Sequence, residues 1–181
     1  MGKIVLITGG VRSGKSAWAL ERANASSYSQ KIFIATAECF DDEMNERVVN
    51  HQKERGEKWQ TIEETIDLVK AISEIHDNTV AVIDCCTVWL GNVWHKLGDS
   101  DQVLQDYIDS FCNALQKWND GEENGEVIIV SNEVGWGIVP LEKSVRRYRD
   151  WAGKLNQRIA SIADEVYLSV AGIGVRIKGG E

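Results

Sequence analysis

A chain of 181 residues with 43% hydrophobic residues and one proline is long enough to bury the core of one domain, so we expect a single domain over residues 1–181. The formal net charge of −8 at pH 7 argues against a protein whose main affinity is for nucleic acid, but it is compatible with a small anionic ligand. The first residues do not form a signal peptide, and no run of about 18 apolar residues could span a membrane. We therefore expect a soluble, cytoplasmic protein without a nucleic-acid partner and without a membrane span.

Strands are predicted from apolar runs that are rich in β-branched residues. Five runs are almost continuously apolar, which is typical of strands buried on both faces of a parallel sheet. They cover residues 3–8, 31–36, 79–84, 126–131 and 165–170. A sixth run, residues 175–178, is predicted to add an edge strand.

Helices are predicted between these strands from apolar residues repeated at intervals of three and four. They cover residues 16–25, 41–55, 64–75, 101–118 and 141–163, and the last begins just after Pro140, close to where proline is tolerated. The polar stretch 119–126 is predicted to be a solvated turn. Because strands and helices alternate, the sequence predicts a three-layer α/β fold with a mostly parallel central sheet and right-handed crossovers.

The segment between the first strand and the first helix reads GGVRSGKS and satisfies the phosphate-loop pattern G-x-x-x-x-G-K-[ST]. Such a loop turns its backbone N–H groups toward phosphate oxygens, and the following helix adds the positive end of its dipole. We expect Lys15 to contact the outer phosphates of a nucleotide and the Ser16 hydroxyl to ligate Mg²⁺. The predicted nucleotide-binding residues here are Gly9, Gly10, Val11, Arg12, Ser13, Gly14, Lys15 and Ser16.

Asp84 ends the predicted strand 79–84, where phosphate-loop proteins place an acid beside the magnesium ion. The same carboxylate could instead cap the helix that follows. A GTPase switch is not indicated, because the sequence lacks the guanine-reading pattern N-K-x-D. A match to D-x-x-G at 150–153 lies inside a predicted helix and not at a strand end.

The four cysteines show neither C-x-x-C spacing nor histidines at zinc-site spacing. Free cysteines are commonly buried as small apolar residues. We therefore expect reduced core thiols, without a metal or redox role, at Cys39, Cys85, Cys86 and Cys112.

His51 lies in the predicted helix 41–55, on one face with Arg47 and Arg55. Taken alone, a histidine in this place is most simply a surface residue. A neutral imidazole at this position would, however, offer a nucleophilic nitrogen lone pair to phosphorus. His76 and His95 have no comparable context, and we expect them to be structural.

Several longer segments are more specific than the phosphate loop. They are FIAT at 33–36, DDEM at 41–44 with Arg47, His51 and Arg55 after it, VSNEVGWGIVP at 130–140, AGKLNQRIA at 152–160 and ADEVYLSVAGIGVRIK at 163–178. Together with GGVRSGKS, these segments closely resemble the bifunctional adenosylcobinamide kinase/adenosylcobinamide-phosphate guanylyltransferase family, CobU. The resemblance extends from the first strand to the last.

The resemblance implies a RecA-like phosphate-loop fold, a homotrimer and two reactions of cobalamin assembly. Enzymes of this family phosphorylate the aminopropanol hydroxyl of adenosylcobinamide with ATP or GTP. They then transfer GMP from GTP to that phosphate, which gives adenosylcobinamide-GDP and pyrophosphate. The second reaction passes through a guanylylated histidine in the family, and the matching position in this sequence is His51.

The resemblance also implies further nucleotide contacts. Ile34, Ala35, Thr36 and Glu63 match positions that hold GTP, and so does a run after the histidine, Gln52, Lys53, Glu54 and Arg55. Asp84 matches a nucleotide-contacting acid, but the family favours glutamate there, so a direct and a water-mediated contact both stay open.

The glycine-rich stretch at 131–140 is either a plain connector or a loop near nucleotide or corrinoid, with Asn132 and Glu133 as polar contacts. The seven tryptophans are more simply core or interface residues than a site for a flat macrocycle. Neither the glycine-rich stretch nor the tryptophans identify the corrinoid-binding residues from the sequence.

Two other functions are compatible with the same residues. One is a small-molecule kinase with a single activity, in which His51 never becomes covalent. The other is a nucleotide-binding regulator that does not turn over its nucleotide, although the missing guanine-reading pattern argues against it. A covalent GMP adduct would distinguish the bifunctional enzyme from both.

Overall fold

Seven strands and five helices are formed by the residues that the computed structural model describes, namely 2–38, 58–98, 100–121 and 124–180. The strands are β1 (Lys3–Gly9), β2 (Gln30–Ala35), β3 (Gln60–Glu63), β4 (Thr79–Asp84), β5 (Gly125–Asn132), β6 (Glu165–Val170) and β7 (Ile173–Lys178). The helices are α1 (Lys15–Ala25), α2 (Leu68–Ser73), α3 (Cys86–Leu97), α4 (Asp101–Asn119) and α5 (Lys143–Ile162).

All the strands belong to one sheet, in the order β3-β2-β4-β5-β1-β6-β7. Every neighbouring pair is parallel except β6 and β7, which are antiparallel. This confirms the predicted α/β fold with a mostly parallel sheet. The strand β5 lies between β1 and β4, so the loops that follow β1 and β4 are separated by one strand at the carboxyl edge.

The core lies on both faces of the sheet. Ile4 and Leu6 of β1 pack on the side of α2, α3, α4 and α5, whereas Val5 and Ile7 pack on the side of α1. All four side chains are buried. Burial on both faces explains why β1 is continuously apolar and does not alternate with polar residues.

Two elements were not predicted, α3 and β3. The helix α3 is apolar around much of its circumference because it is buried, with Cys86, Trp89, Leu90 and Val93 inside the core, so it shows no clear helical period. The strand β3 has only four residues and lies at the edge of the sheet. Its alternation is too short to distinguish it from a loop.

The helix α2 is shorter than the predicted helix 64–75. Glu64 Oε1 accepts hydrogen bonds from the backbone N–H of Ile66 (2.9 Å) and of Asp67 (2.8 Å), which forms a turn before the helix. Asp67 Oδ1 then accepts from Lys70 N (3.1 Å) and caps the helix. The helix predicted at 41–55 lies outside the described residues.

The other predicted elements keep their positions to within two residues. The largest shifts are at β7, which begins at Ile173 and not at 175, and at α5, which begins at Lys143 and not at 141. Within the described ranges, the structure contains no helix that is both long enough and apolar enough to cross a membrane. The single-domain organisation stays a prediction.

An ion-pair network joins α1 to the amino edge of the sheet. Arg22 donates through Nε (3.0 Å) and Nη2 (2.6 Å) to Glu126 Oε1 at the start of β5, and its Nη2 lies 2.7 Å from Glu165 Oε2 at the start of β6. Lys3 Nζ donates to Glu165 Oε1 at 2.9 Å. Burial alone would raise the pKa of Glu165, but Lys3 and Arg22 together lower it. Arg22 thus compensates two carboxylates that are largely shielded from water.

Arg22→Met is expected to destabilise the protein by about 3–5 kcal/mol, because it leaves Glu126 and Glu165 close together without their shared cation. Thermal unfolding at pH 7 measures the loss. Since the folded pKa of Glu165 is lowered, its contribution is fully present above the unfolded pKa of about 4.3 and is lost progressively as the pH falls from there through the lowered folded pKa. The control is Arg158→Met, whose exposed 3.5 Å pair with Asp109 is expected to contribute less than about 1 kcal/mol. Equal losses in both variants would contradict a special role for Arg22.

Candidate functional site

The carboxyl edge of the sheet gathers the residues that were predicted to bind nucleotide. Gly9 ends β1 opposite Asn132 of β5, and Asp84 ends β4 opposite Ala35 of β2. Glu63 ends β3 and is also opposite Ala35. This is the edge at which open α/β sheets bind ligands. The topology therefore places positions that are far apart in sequence along one line.

Glu63 lies at the far end of that line. It is exposed, and four strand spacings separate β3 from β1, which is roughly 19 Å along the sheet. A contact between Glu63 and a nucleotide held by the phosphate loop would require the nucleotide to lie along this edge. The role of Glu63 stays a prediction.

The phosphate loop is held by the turn between β6 and β7. Ser13 O accepts from Gly172 N and from Ser169 Oγ, both at 2.8 Å. Gly14 has a φ of 91°, and a Cβ there would lie 2.9 Å from the Cα of Gly172. A Cβ at Gly9 would lie 2.4 Å from the carbonyl oxygen of Ser169. Both glycines of the motif are therefore required by close packing as well as by turn geometry.

Lys15 begins α1 at the base of this loop and is only 7% exposed. Its Nζ donates a 2.8 Å hydrogen bond to the carbonyl oxygen of Gly10. Burial lowers the pKa of Lys15, while the neighbouring Cys85 and Asp84 oppose that shift. Lys15 therefore lies near enough to the end of β4 to interact electrostatically with Asp84, the predicted metal-side acid.

The donor set of the loop fits an anion. Among the described side chains, the Ser13 hydroxyl is buried without a hydrogen-bond partner, which is a costly arrangement that a phosphate oxygen would relieve. Ser16 and Asp84 are both partly exposed and offer the oxygen ligands that Mg²⁺ prefers. The described ranges hold no group of three or more His, Cys, Asp or Glu side chains arranged so that it could hold a metal ion.

The predicted GTP-contact segment at 34–36 is largely internal. Ile34 and Thr36 are fully buried, and Ala35 is partly exposed. The Thr36 hydroxyl donates to Cys85 O at 2.9 Å and accepts from Cys85 N at 2.8 Å. Thr36 therefore positions the backbone that follows Asp84. A direct contact between this segment and GTP stays a prediction, for which Ala35 is the best exposed of the three.

Asn132, which was expected as a polar contact, belongs to a second layer of polar side chains whose other members, Thr87, Tyr148 and Asn156, were missed by sequence reasoning. Asn132 Nδ2 donates to Thr87 Oγ1 at 2.9 Å, and Tyr148 OH donates to Thr87 O at 2.6 Å. Asn156 Nδ2 donates to Asn132 O at 3.0 Å. Burial raises the pKa of Tyr148 to about 12, so its hydroxyl stays a neutral donor at physiological pH. The available signal was the presence of Thr87 and Asn156 at internal positions of otherwise apolar helix faces.

Cys85, Cys86 and Cys112 are free and buried, as predicted. Burial raises the pKa of Cys85 to about 11 and that of Cys112 to about 12. Both are therefore neutral thiols near pH 7, and a nucleophilic thiolate is not available at either position. Cys39 lies outside the described residues.

The predicted covalent residue and its neighbours also lie outside the described residues. They are His51, Gln52, Lys53, Glu54 and Arg55. Their roles therefore stay predictions that rest on the family resemblance. The exposed His76 and His95 do not take part in the contacts around the phosphate loop described above.

Solved structures support the fold. A protein from Pyrococcus horikoshii OT3, Project ID PH0250, superposes with a TM-score of 0.57 over 99% of this chain and 87% of its own, at 8% identity. A prototypical ATPase from the type III secretion system of pathogenic bacteria superposes with a TM-score of 0.57 over 96% of this chain and 56% of its own, at 11% identity. At such low identity these similarities show the α/β fold alone.

Sequence comparisons are more specific. The chain is 39% identical to the bifunctional adenosylcobalamin biosynthesis protein CobU of Escherichia coli (strain K12), over 97% of this chain and 99% of the relative. It is 41% identical to the bifunctional adenosylcobalamin biosynthesis protein CobP of Pseudomonas aeruginosa, over 96% of each chain. Residues 5–177 match the family model described as cobinamide kinase / cobinamide phosphate guanyltransferase. The chain therefore belongs to the CobU family of cobinamide kinases and cobinamide phosphate guanyltransferases.

Proposed function

We propose that this chain phosphorylates the aminopropanol hydroxyl of adenosylcobinamide and then transfers GMP from GTP to the phosphate it has made. The family match over residues 5–177 is the observation that carries this proposal. The phosphate loop supports it, because Lys15 and the unpartnered Ser13 hydroxyl are suited to phosphate oxygens.

In the kinase reaction, the substrate hydroxyl oxygen attacks the γ-phosphorus of ATP or GTP, the bond to the β,γ-bridging oxygen breaks, ADP or GDP leaves, and the hydroxyl proton passes to water. Lys15, the backbone N–H groups of the loop and the Ser13 hydroxyl hold the phosphate oxygens. Mg²⁺, held by Ser16, Asp84 and the nucleotide, would neutralise the charge that develops on those oxygens. The thiol of Cys85 stays neutral and takes no part.

In the guanylyltransferase reaction, an imidazole nitrogen of His51 attacks the α-phosphorus of GTP, and pyrophosphate leaves. A phosphate oxygen of adenosylcobinamide phosphate then attacks the same phosphorus, and the imidazole leaves. The first step requires the neutral imidazole, because only that form offers a nitrogen lone pair to phosphorus. Lys15 stabilises the departing pyrophosphate. Ala35, Glu63 and the run at 52–55 hold GTP.

We also propose a cytoplasmic homotrimer. The outer strand β7 supports self-association, since Ile173, Val175 and Ile177 are large apolar side chains that are exposed on it. Sedimentation is expected to show a mass three times the 20.2 kDa of the chain. A species of 20.2 kDa at micromolar concentration would contradict this proposal.

The proposed function is tested by incubating the protein with adenosylcobinamide, GTP and Mg²⁺ and identifying the corrinoid products by mass spectrometry. Adenosylcobinamide phosphate is expected first and adenosylcobinamide-GDP second. Phosphorylation without the second product would favour a kinase with a single activity. Nucleotide binding without either product would favour a regulator. Chelation of Mg²⁺ is the control and is expected to stop both steps.

A further inference from the structure

The segment after β5 exposes an unusual amount of apolar surface. Residues 134–141, here called the apolar loop, read VGWGIVPL and contain no charged side chain. Trp136 is 75% exposed, Ile138 93%, Val139 75% and Leu141 95%. Single exposed apolar residues are ordinary, but four large ones within six positions mark a binding surface.

Two arginines of α5 hold the backbone of the apolar loop. Arg149 donates to the carbonyl oxygens of Gly135 (2.6 Å), Ile138 (2.7 Å) and Gly137 (3.2 Å). Arg146 donates to the carbonyl oxygens of Pro140 (2.9 Å) and Leu141 (2.5 Å). These bonds satisfy the polar backbone while the apolar side chains lie outside. The loop is therefore a supported apolar surface.

The apolar loop begins beside the phosphate loop. Asn132 pairs with Gly9 in the sheet, and the next residue, Glu133, donates its backbone N–H to Gly9 O at 2.9 Å. The Glu133 carboxylate accepts from Gly135 N at 2.6 Å, which sets the direction of the chain as it leaves β5. An acceptor resting on the apolar loop would therefore lie next to the nucleotide phosphates.

We propose that the apolar loop is the docking surface for the corrinoid macrocycle of the acceptor, with Trp136 and Ile138 as its principal contacts. This inference rests on the proposed function. The acceptor has to bring a hydroxyl, and later a phosphate, to the phosphate loop, while its large and mostly uncharged ring system remains outside. A surface without charged side chains that begins one residue after Glu133, the residue bonded to Gly9 O, matches both requirements. The two nearby arginines are already occupied by backbone carbonyls, so the surface offers apolar contact and not ion pairing.

The test compares Trp136→Ala and Ile138→Ser with the wild-type protein. Binding of adenosylcobinamide is measured directly by equilibrium dialysis, and the KM for adenosylcobinamide is measured in the kinase reaction. Each substitution is expected to weaken binding and raise this KM by about 10-fold or more, the size usual for a central apolar contact. Affinity for GTP and the yield of the covalent GMP adduct are expected to stay unchanged. The matched control is Leu97→Ala, which removes an exposed apolar side chain from the end of α3.

The outcomes separate this inference from the proposed function. Wild-type protein that binds no adenosylcobinamide would overturn both. Wild-type protein that binds it with an affinity shared by both variants would overturn the inference alone. A change in sedimentation with unchanged corrinoid affinity would also overturn it and would assign the apolar loop to contact between copies of the chain. Equal loss of GTP affinity would show that the substitutions disturb the phosphate loop, which is likewise contrary to the inference.

Discussion

Lys15→Ala is expected to lower kcat of both reactions by at least about 10²–10³-fold, the usual effect of removing a donor that meets developing charge in a closed site. One ammonium serves both steps, because it faces the phosphoryl group in the first and the leaving pyrophosphate in the second. Its position is set by burial at the base of the loop and by the 2.8 Å bond to Gly10 O. Steady-state rates of adenosylcobinamide phosphate and adenosylcobinamide-GDP formation measure the loss.

Folding is not expected to account for that loss. Since burial disfavours the charged form of Lys15, its removal is expected to leave the thermal midpoint unchanged or slightly raised. The control is Lys31→Ala, because Lys31 lies at the start of β2, away from the phosphate loop, where its ammonium contacts Asn24 and the Trp59 ring. Full activity of Lys15→Ala in either reaction would show that this reaction does not use the phosphate loop.

His51→Ala is expected to abolish the covalent GMP adduct and the guanylyl transfer while the kinase reaction continues. The substitution removes the only nitrogen proposed to attack the α-phosphorus, whereas the γ-phosphate is still held by the phosphate loop. Intact-protein mass after incubation with GTP and Mg²⁺ measures the adduct. The adduct on wild-type protein is expected to be acid-labile, as a phosphoramidate is. Adenosylcobinamide phosphate is expected to accumulate in the variant, which a general folding defect would not produce.

A matched control is His76→Ala, because His76 is exposed and follows α2. It is expected to retain the adduct and both rates. Wild-type protein that binds GTP without gaining one GMP would return His51 to a surface role and leave the single-activity kinase as the better description. An adduct that survives in His51→Ala would place the nucleophile at another residue.

Local patterns foretold much of the fold. Five strands were predicted to within one residue at either end, because burial on both faces requires continuously apolar runs. The helix α3 was missed for a related reason, since a buried helix also loses its polar face. The strand β3 is held by pairing with β2, and its own four residues carry almost no signal.

The candidate site was foreseen in its parts but not in its arrangement. The pattern at 9–16 identified Lys15 and Ser13, yet the missing partner of the Ser13 hydroxyl is visible only after the loop is closed by Ser169 and Gly172. Thr36 was predicted to contact nucleotide. In the structure its hydroxyl donates one hydrogen bond to Cys85 O and accepts another from Cys85 N. The roles of Arg146 and Arg149 were not predicted. Nothing in the neighbouring sequence indicates that an arginine of a helix will donate hydrogen bonds to the carbonyl oxygens of the preceding loop.

The sequence by itself determined the phosphate loop, the alternation of strands and helices and the family, because each depends on residues that are close together in the chain or on identities along its length. The tertiary structure alone decided that Gly9, Ala35, Glu63, Asp84 and Asn132 share one edge. It also brought Lys15 close enough to Asp84 for an electrostatic interaction. The apolar loop was placed beside the phosphate loop by the hydrogen bond from Glu133 N to Gly9 O. The reason is that parallel strands are joined by long crossovers, so residues that are neighbours at the carboxyl edge come from distant segments of the chain. Their separation in the sequence therefore does not predict that they lie together.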